Sequence, residues 1–302
     1  MSRFAVILAL VWGLAGSAIA QSRLDDTPRV AVISAFGPEM TALKEATSDK
    51  RDYVQGGSTF TTGVLEGKPV VLFLSGMSMV NAAMTTQAAL DRFKITRVVF
   101  SGIAGGVDPA LDVGDVVVAD QWGQYLENAL ARETAPGKFE PPGGEPLAEK
   151  LEPFGMMYPR GVVVTRSPGV MEHKVWFPAD PAMIATAREV AGKVTLKRCN
   201  ADRCLVKEPR VVVGGNGVSG QSFVDNAQFR TWAYETFHAR VLDMESAAVA
   251  QVAYANGAPF IAFRSLSDLA GGDPGKNQAR IFFQLASDNS AAVVRAFIAA
   301  LP

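Results

Sequence analysis

Residues 241–273 read VLDMESAAVAQVAYANGAPFIAFRSLSDLAGGD, and this stretch decides the predicted fold. After a short strand, apolar residues recur at helical spacing, and Asn256-Gly257 predicts the end of that helix. Residues 259–266 are then a mostly apolar run of strand length, as expected for a parallel strand that is covered on both faces. A strand, a helix and a second strand in this order are typical of an α/β domain.

Four charged side chains interrupt this apolar unit. Asp243 and Glu245 lie where the first strand hands over to the helix. Arg264 lies within the second strand, and Asp268 comes at its carboxyl end. Burying a charge is costly unless the charge is paired or used. Because ligands bind at the carboxyl ends of the strands in open α/β sheets, we expect a site at this edge.

The rest of the chain continues the alternation of strands and helices. Further strands are predicted at 29–35, 58–64, 69–74, 97–100, 113–119, 161–165 and 211–213, and helices at 75–93, 180–194, 226–237 and 277–300. Residues 121–159 show a weaker pattern, and we expect a long surface excursion there. The predicted fold is a three-layer α/β/α sandwich around a central twisted, mostly parallel mixed sheet.

The composition limits the classes of function. The chain has 302 residues, of which 48% are hydrophobic and 20% charged, and this suits one large α/β domain or two small ones. A formal net charge of −1 without a basic block argues against nucleic acid as a partner. Glycine-rich turns follow three strands, but none matches a dinucleotide or phosphate-loop motif in full. We therefore predict neither a cofactor nor a metal site.

The first twenty residues, MSRFAVILALVWGLAGSAIA, have the composition of a secretory signal peptide. An arginine precedes a short apolar run, and the small residues of 18–20 predict cleavage before Gln21. The apolar run is too short for a comfortable membrane span, so an uncleaved anchor is the weaker alternative. We expect a periplasmic or secreted protein whose single domain covers residues 21–302 and which makes no contact with the membrane after cleavage.

Both cysteines lie in one short polar stretch, as Cys199 and Cys204. In an exported chain, two cysteines that flank a four-residue polar loop favour a disulfide at the tip of a hairpin. A metal-binding pair is the alternative, although the chain's two histidines, His173 and His238, lie elsewhere in the sequence.

Six motifs carry a resemblance to a known family. They are, in chain order, VAVISAFGPEM, LSGMSMVNAA, FSGIAGGVDPALDVGDVVVAD, VSGQSFVDN, VLDMESAAVAQVA and PFIAFRSLSDLAGG. They resemble the purine nucleoside phosphorylase/nucleosidase superfamily, and most closely its 5′-methylthioadenosine/S-adenosylhomocysteine nucleosidases. The export signal and MEHKVWFPADP are similar to a secreted branch that includes plant vegetative and bark storage proteins. The resemblance implies a small-molecule nucleoside as substrate and a homodimer.

The resemblance also implies roles for three carboxyl groups. Asp268 matches the general acid, Glu39 the carboxylate that activates water, and Glu245 the carboxylate that binds the ribose hydroxyls. These residue types suit cleavage of an N-glycosidic bond, because the leaving purine needs a proton and the sugar becomes positively charged. The residues alone leave other roles open, since Glu39 and Glu245 in first helical turns also stabilise a helix start and Asp268 is also a good capping residue.

Further substrate contacts follow from the same resemblance. Arg264 and Ser75 match positions around the attacking water, and Arg264 also suits a buried pair with Asp243 or Glu245. The other predicted contacts are the purine-stacking Phe223, Met244 under the ribose, and the adjoining binding residues Val224 and Ser267. Phe223 and Met244 equally suit ordinary core packing.

The sequence departs from the family at two places. The first glycine turn carries Gly37-Pro38-Glu39 and no arginine, so it repels phosphate and favours water as the nucleophile. Ser78-Met79 replaces a glycine-lysine pair. We predict an exported purine nucleosidase that hydrolyses an adenosine-type nucleoside. The alternatives are a phosphate-dependent phosphorylase and a weakly catalytic nucleoside-binding or storage-like protein.

Overall fold

A computed structural model of the protein describes residues 23–145, 147–148 and 150–302. The predicted signal peptide lies outside these residues. The longer strands are β1 (Asp25–Ser34), β2 (Ser48–Gln55), β3 (Ser58–Leu65), β4 (Lys68–Leu74), β5 (Phe93–Gly106), β12 (Val162–Ser167), β13 (Val170–Lys174), β19 (Ala239–Asp243) and β20 (Phe260–Asp268). The shorter strands are β6 (Val116–Val118), β7 (Gln121–Gln124), β8 (Asn128–Leu130), β9 (Arg132–Ala135), β10 (Lys138–Glu140), β11 (Met157–Pro159), β14 (Trp176–Pro178), β15 (Cys199–Asn200), β16 (Arg203–Cys204), β17 (Val211–Val213) and β18 (Asn216–Ser219). The helices are α1 (Gly37–Ala46), α2 (Met79–Arg92), α3 (Pro181–Ala191), α4 (Ala227–Phe237), α5 (Ser246–Ala255) and α6 (Ala279–Ala300).

The main sheet is mixed and mostly parallel, as the sequence predicts. Its strands follow the order β14-β7-β18-β19-β5-β1-β4-β3-β2, with β20 beside β5 and β6, and β17 beside β6. The parallel pairs include β1 with β4, β1 with β5, and β20 with β5. The hairpin β3–β4 and the pair β19–β5 are antiparallel.

Helices cover both faces of this sheet, which gives the three predicted layers. Along β1 the side chains alternate: Ala31 and Ile33 pack in one core with α2 and α5, while Val30 and Val32 pack in another with α1, α3 and α6. Full burial of a valine or isoleucine side chain contributes about 1.5–3 kcal/mol. A central strand that is apolar on both faces is thereby stabilised from both sides.

Strand β20 brings the polar end of the sheet together. All nine of its residues are buried, as its mostly apolar pattern predicts. Its register with β5 places Arg264 beside Gly102 and Asp268 beside Gly105. The two charged residues of β20 therefore lie next to the glycine-rich end of β5.

The structure corrects one prediction. Residues 121–159 are not wholly a surface excursion, because β7 pairs with β18 and β14 in the main sheet. Trp122 and Tyr125 are fully buried there, and Trp122 packs so closely on Gly217 that a Cβ at residue 217 would lie 2.6 Å from its ring. The segment was missed because β7 has four residues and glutamine at both ends. The later hairpin β9–β10 is largely exposed, as expected.

The predicted disulfide between Cys199 and Cys204 is present and joins the paired strands β15 and β16. This hairpin and the residues just before it are hydrogen-bonded to α6. The amide of Asn200 donates to the Ile281 carbonyl at 2.8 Å, and the Lys197 N–H donates to Asn289 Oδ1 at 2.6 Å. In the described part of the chain, no helix is both long and apolar enough to cross a membrane.

Candidate active site

A cavity of about 200 Å³ lies at the carboxyl ends of β1, β19 and β20. Its walls are mainly apolar, with acidic groups among them. The lining residues are Ala35, Phe36, Glu39, Met77, Ile103, Ala104, Gly105, Ser222, Phe223, Val224, Leu242, Asp243, Met244, Glu245, Ser267, Asp268 and Phe283. The cavity is at the edge of the sheet where the sequence predicts a ligand site.

Glu39 lies at the start of α1 and is almost completely buried. Its Oε2 accepts hydrogen bonds from the backbone N–H groups of Ala35 (2.7 Å) and Phe36 (3.3 Å), and its Oε1 from that of Ile103 (2.8 Å). Burial raises the pKa of Glu39, and the charge of Arg264 and the three N–H donors oppose this shift. Glu39 therefore stabilises its helix start and also forms part of the cavity wall.

Glu245 directly precedes α5 and is also buried. Its Oε1 accepts the backbone N–H of Ser78 at 2.7 Å. Ser78 has φ = 77°, a backbone conformation that favours glycine. Burial raises the pKa of Glu245 to about 7; Asp243 adds to the shift and Arg264 opposes it. This carboxyl group therefore changes its charge near neutral pH.

Arg264 lies behind the cavity wall and is 0% exposed. Its Nε is 2.6 Å from Asp243 Oδ2, whereas Nη2 is 3.6 Å from Glu245 Oε2 and Nη1 is 3.9 Å from Glu39 Oε1. The guanidinium also stacks over the Phe100 ring at 4.0 Å. The buried pair with Asp243 is present, and a role for Arg264 around an attacking water stays a prediction.

Gly102 leaves the space that this cluster needs. A Cβ on residue 102 would collide with Nη1 of Arg264 and would lie 2.6 Å from Oε1 of Glu39. The glycine in the SGIAGG motif is thus explained by the close approach of an arginine and a carboxyl group from two other elements.

Asp268 ends β20 and is 2% exposed. Its Oδ1 accepts the Ala270 N–H at 2.9 Å and, more weakly, the Asn277 amide at 3.5 Å, while Ser267 Oγ donates to Oδ2 at 2.9 Å. Burial raises the pKa of Asp268 against the effect of these donors. The carboxyl group is therefore suited to hold a proton at a higher pH than an exposed aspartate.

The structure brings most of the predicted binding residues to one place. Val224, Met244 and Ser267 line the cavity together with the three carboxyl groups, and Phe223 lies at its rim with 61% of its surface exposed. Arg264 lies behind the wall, and Ser75 lies outside the cavity. Its Oγ donates to the Gly76 carbonyl at 2.8 Å, and the residue lines a neighbouring depression.

The sequence analysis missed several apolar lining residues. Phe36 and Ile103 lie within motifs that were identified, and their positions beside Glu39 and Gly102 were the available signal. Phe283 lies on α6, outside all six motifs, and its ring packs edge-on to Phe36 with 6.0 Å between centroids. Only the fold brings this last helix to the cavity.

The arrangement favours acid–base chemistry on a ligand that is partly apolar. Asp268 can donate a proton, and Glu39 and Glu245 can orient a nucleophile and stabilise positive charge. Within residues 23–145, 147–148 and 150–302, no group of three or more histidine, cysteine, aspartate or glutamate side chains is arranged to hold a metal ion.

Comparison with known proteins places the chain among enzymes of one kind. Residues 29–299 match the Phosphorylase superfamily. The chain is 30% identical over 268 residues to the 5′-methylthioadenosine/S-adenosylhomocysteine nucleosidase of Marinomonas sp. The matched region covers 88% of this chain and 96% of that protein. It is 32% identical over 246 residues to the nucleosidase of the same name from Bacillus licheniformis, which spans 80% of this chain and 87% of that protein.

Solved structures agree with these matches. The nucleosidase of Neisseria meningitidis in complex with methylthio-immucillin-A is similar with a TM-score of 0.67 and 26% identity, covering 90% of this chain and 99% of that one. The nucleosidase of Colwellia psychrerythraea in complex with adenine is similar with the same TM-score and identity, covering 90% of this chain and 95% of that one.

Proposed function

Because this chain belongs to the phosphorylase superfamily, and within it to the 5′-methylthioadenosine/S-adenosylhomocysteine nucleosidases, we propose that it hydrolyses the N-glycosidic bond of an adenosine-type nucleoside. The observation that carries the proposal is the composition of the cavity. Four buried carboxyl groups, those of Glu39, Asp243, Glu245 and Asp268, lie among apolar walls, and none of the described residues that line the cavity is a lysine or an arginine.

Asp268 is proposed as the acid that protonates N7 of the leaving purine. Oδ1 accepts the N–H of Ala270, so in this proposal Oδ2 carries the proton of the neutral acid; among the described residues, Oδ2 accepts a hydrogen bond only from the Ser267 hydroxyl. Burial raises the pKa of Asp268 above its ordinary value, and this favours the protonated acid that the proposal needs. Phe223, at the rim, offers an aromatic face for the purine.

Glu39 and Glu245 are proposed to act at the sugar. Glu39 is fixed by three backbone N–H groups, which suits a base that must orient and deprotonate one water. Glu245 accepts hydrogen bonds from the ribose hydroxyls in this proposal, and its negative charge stabilises the positive charge that develops on the ring.

The apolar end of the cavity supports a substrate with an apolar 5′ substituent. Phe36, Met77 and Phe283 provide carbon and sulfur surface without a charged group. The related proteins are named for methylthioadenosine and S-adenosylhomocysteine, and a methylthio group matches this lining better than a free hydroxyl does.

Phosphorolysis and weak, storage-like binding are the two alternatives. Release of the free base, which is adenine from methylthioadenosine and adenosine and hypoxanthine from inosine, is measured with and without phosphate and separates all three. We expect phosphate-independent release of base and free sugar, fastest from methylthioadenosine. A sugar 1-phosphate product assigns a phosphorylase, and binding without turnover assigns a storage-like protein.

We also propose that the protein is exported to the periplasm or secreted. The support is that residues 1–20 contain an arginine, then an apolar run and then small residues, as in a signal peptide. A disulfide between Cys199 and Cys204 is further support. Cell fractionation of the full chain and of a form that begins at Gln21 tests this. Equal cytoplasmic retention of both forms contradicts it.

A further inference from the structure

The carboxyl groups of the site outnumber the charge that can balance them. Asp243, Glu39 and Glu245 all lie within 4 Å of the guanidinium of Arg264. These side chains are shielded from water, so each uncompensated negative charge is costly. The position of the guanidinium among the three carboxyl groups therefore determines which of them retain a proton.

Asp243 has the shortest contact with Arg264 and is itself held from several sides. Its Oδ1 accepts the backbone N–H groups of Glu245 (3.2 Å) and Ser246 (3.1 Å) and contacts the Ser219 hydroxyl. Its Oδ2 lies 2.6 Å from Arg264 Nε as an ion pair, but the Nε–H points to Ser246 Oγ at 2.9 Å, and Oδ2 has no hydrogen-bond donor among the described residues. Asp243 thus joins the start of α5 to the guanidinium.

The two catalytic glutamates receive less of this positive charge. The distances from the guanidinium to Glu245 and Glu39 are 3.6 and 3.9 Å, beyond a good hydrogen bond. Consistent with this, Arg264 Nη2 has no hydrogen-bond partner among the described residues. No role was assigned to Asp243 in the proposed reaction.

We propose that Asp243 is a positioning residue that holds the guanidinium of Arg264 at the start of α5, just out of hydrogen-bonding reach of Glu39 and Glu245. The two glutamates then share too little positive charge to ionise as readily as exposed carboxyl groups. The other groups near Glu245 are the Ser78 N–H, the carboxyl of Glu39 and the buried phenol of Tyr125, and none of them carries the positive charge of the arginine.

The test compares Asp243→Asn with Asp243→Glu. This readout rests on the proposed function, in which Glu39 and Glu245 act when they are ionised. The acidic limb of the plot of kcat/KM against pH then reports their protonation. Asp243→Asn removes a negative charge and frees the guanidinium, and both effects favour ionised glutamates. We expect its acidic limb to move to lower pH by about one unit. Asp243→Glu keeps the charge, so its limb stays at the wild-type pH even if its rate falls.

Asp25→Asn is the matched control. It removes a carboxylate that contacts Arg29 at the same 2.6 Å, at the opposite end of β1. Its acidic limb stays in place. A merely structural role for Asp243 lowers the rate in both Asp243 variants and leaves both limbs at the wild-type pH, and that result overturns the proposal.

A second readout does not depend on turnover. The pKa of Glu245 rises from 4.5 to about 7 on folding, so its protonated form stabilises the folded protein fully below pH 4.5 and this contribution is lost as the pH rises through 7. Asp243→Asn lowers the folded pKa, and we expect a smaller fall in Tm between pH 5 and 7.5 than in wild type or Asp25→Asn. An equal fall overturns the proposal. If the wild-type protein shows no turnover, the proposed function is refuted. The Tm measurement then still tests whether Asp243 positions Arg264.

Ser246→Ala covers the case in which Asp243→Asn does not fold. It removes the hydroxyl that accepts from Arg264 Nε and changes no charge, so the Asp243 carboxyl, 2.6 Å from that atom, is left as an acceptor beside it. The acidic limb then stays at the wild-type pH or moves higher. A move to lower pH overturns the proposal.

Discussion

At the scale of single residues, the division of labour between Asp268 and Glu39 is open to a direct test. Asp268→Asn keeps the shape of the side chain but removes the transferable proton, and turnover falls by roughly 10²–10⁴-fold. Purine binding falls less, because the amide still donates a hydrogen bond. Glu39→Gln removes water activation at a comparable cost in rate. Steady-state kinetics on methylthioadenosine measures both losses.

A substrate whose leaving group needs no proton separates the two roles. A nitrophenyl riboside is expected to rescue Asp268→Asn and to leave Glu39→Gln impaired. If both variants are equally impaired on both substrates while their Tm values are unchanged, the assignment of acid and base is wrong and the cavity remains the binding site.

Ser78 provides a second test at this scale. Its φ of 77° is strained for any residue with a Cβ, while its N–H is the part that holds Glu245. Ser78→Gly keeps the N–H and relieves the strain, so we expect the free energy of unfolding to rise by about 1 kcal/mol with activity retained. Ser78→Ala is the control, because it keeps a Cβ and gains no such stability. Denaturant unfolding measures both, and a less stable Ser78→Gly contradicts the expectation.

The position of some residues at the cavity could be predicted where charge was out of place, while their roles stay predictions. Glu245 and Asp268 stand out in the sequence because a carboxyl group in an apolar unit needs a reason, and Glu39 was predicted from the family resemblance. Phe283 and Met77 do not stand out, since an apolar residue that lines a cavity has the same local pattern as one that fills a core. Only three-dimensional packing distinguishes the two.

At the scale of elements, the disulfide hairpin supports the first part of α6. It is anchored by Asn200 on Ile281 and by Lys197 on Asn289, on either side of Phe283 in the sequence. The double variant Cys199→Ser/Cys204→Ser lacks the covalent bond that closes this loop. Because the loop is short, we expect the free energy of unfolding to fall by about 2–3 kcal/mol at most. Urea unfolding of the oxidised and variant proteins measures this. Two free thiols in unreduced protein, shown by mass spectrometry, contradict the bridge itself.

The same scale shows where sequence patterns stop being informative. Strand β20 could be predicted because most of its nine buried residues are apolar. Strand β7 was missed because its position depends on β18 and β14, which come later in the chain. A short strand that is defined by distant partners carries little signal of its own.

At the scale of the whole molecule, we propose that two chains associate through the start of α2. Val80 and Met84 are 66% and 61% exposed on this helix, and the equally exposed Met77 just before it also lines the cavity. Exposed apolar side chains grouped beside a site mark an association surface. Light scattering after size exclusion is expected to give twice the chain mass for wild type.

Val80→Asp is expected to shift that mass to a single chain. Val206→Asp is the control, because Val206 is 93% exposed and lies by the disulfide hairpin. A wild-type monomer, or equal effects of the two variants, contradicts an interface at α2.

The hairpin β9–β10 has a consequence for engineering. Gly137 lies at its exposed turn with no atom near the place of a Cβ. A chain divided there leaves Glu39 and Ile103 on one fragment and Glu245, Asp268 and Phe283 on the other. Neither half holds a complete reaction centre, and the central pair β5–β20 exists only when the halves rejoin. If each fragment is fused to one of two other proteins, release of adenine by the mixture therefore reports that those two proteins bind each other.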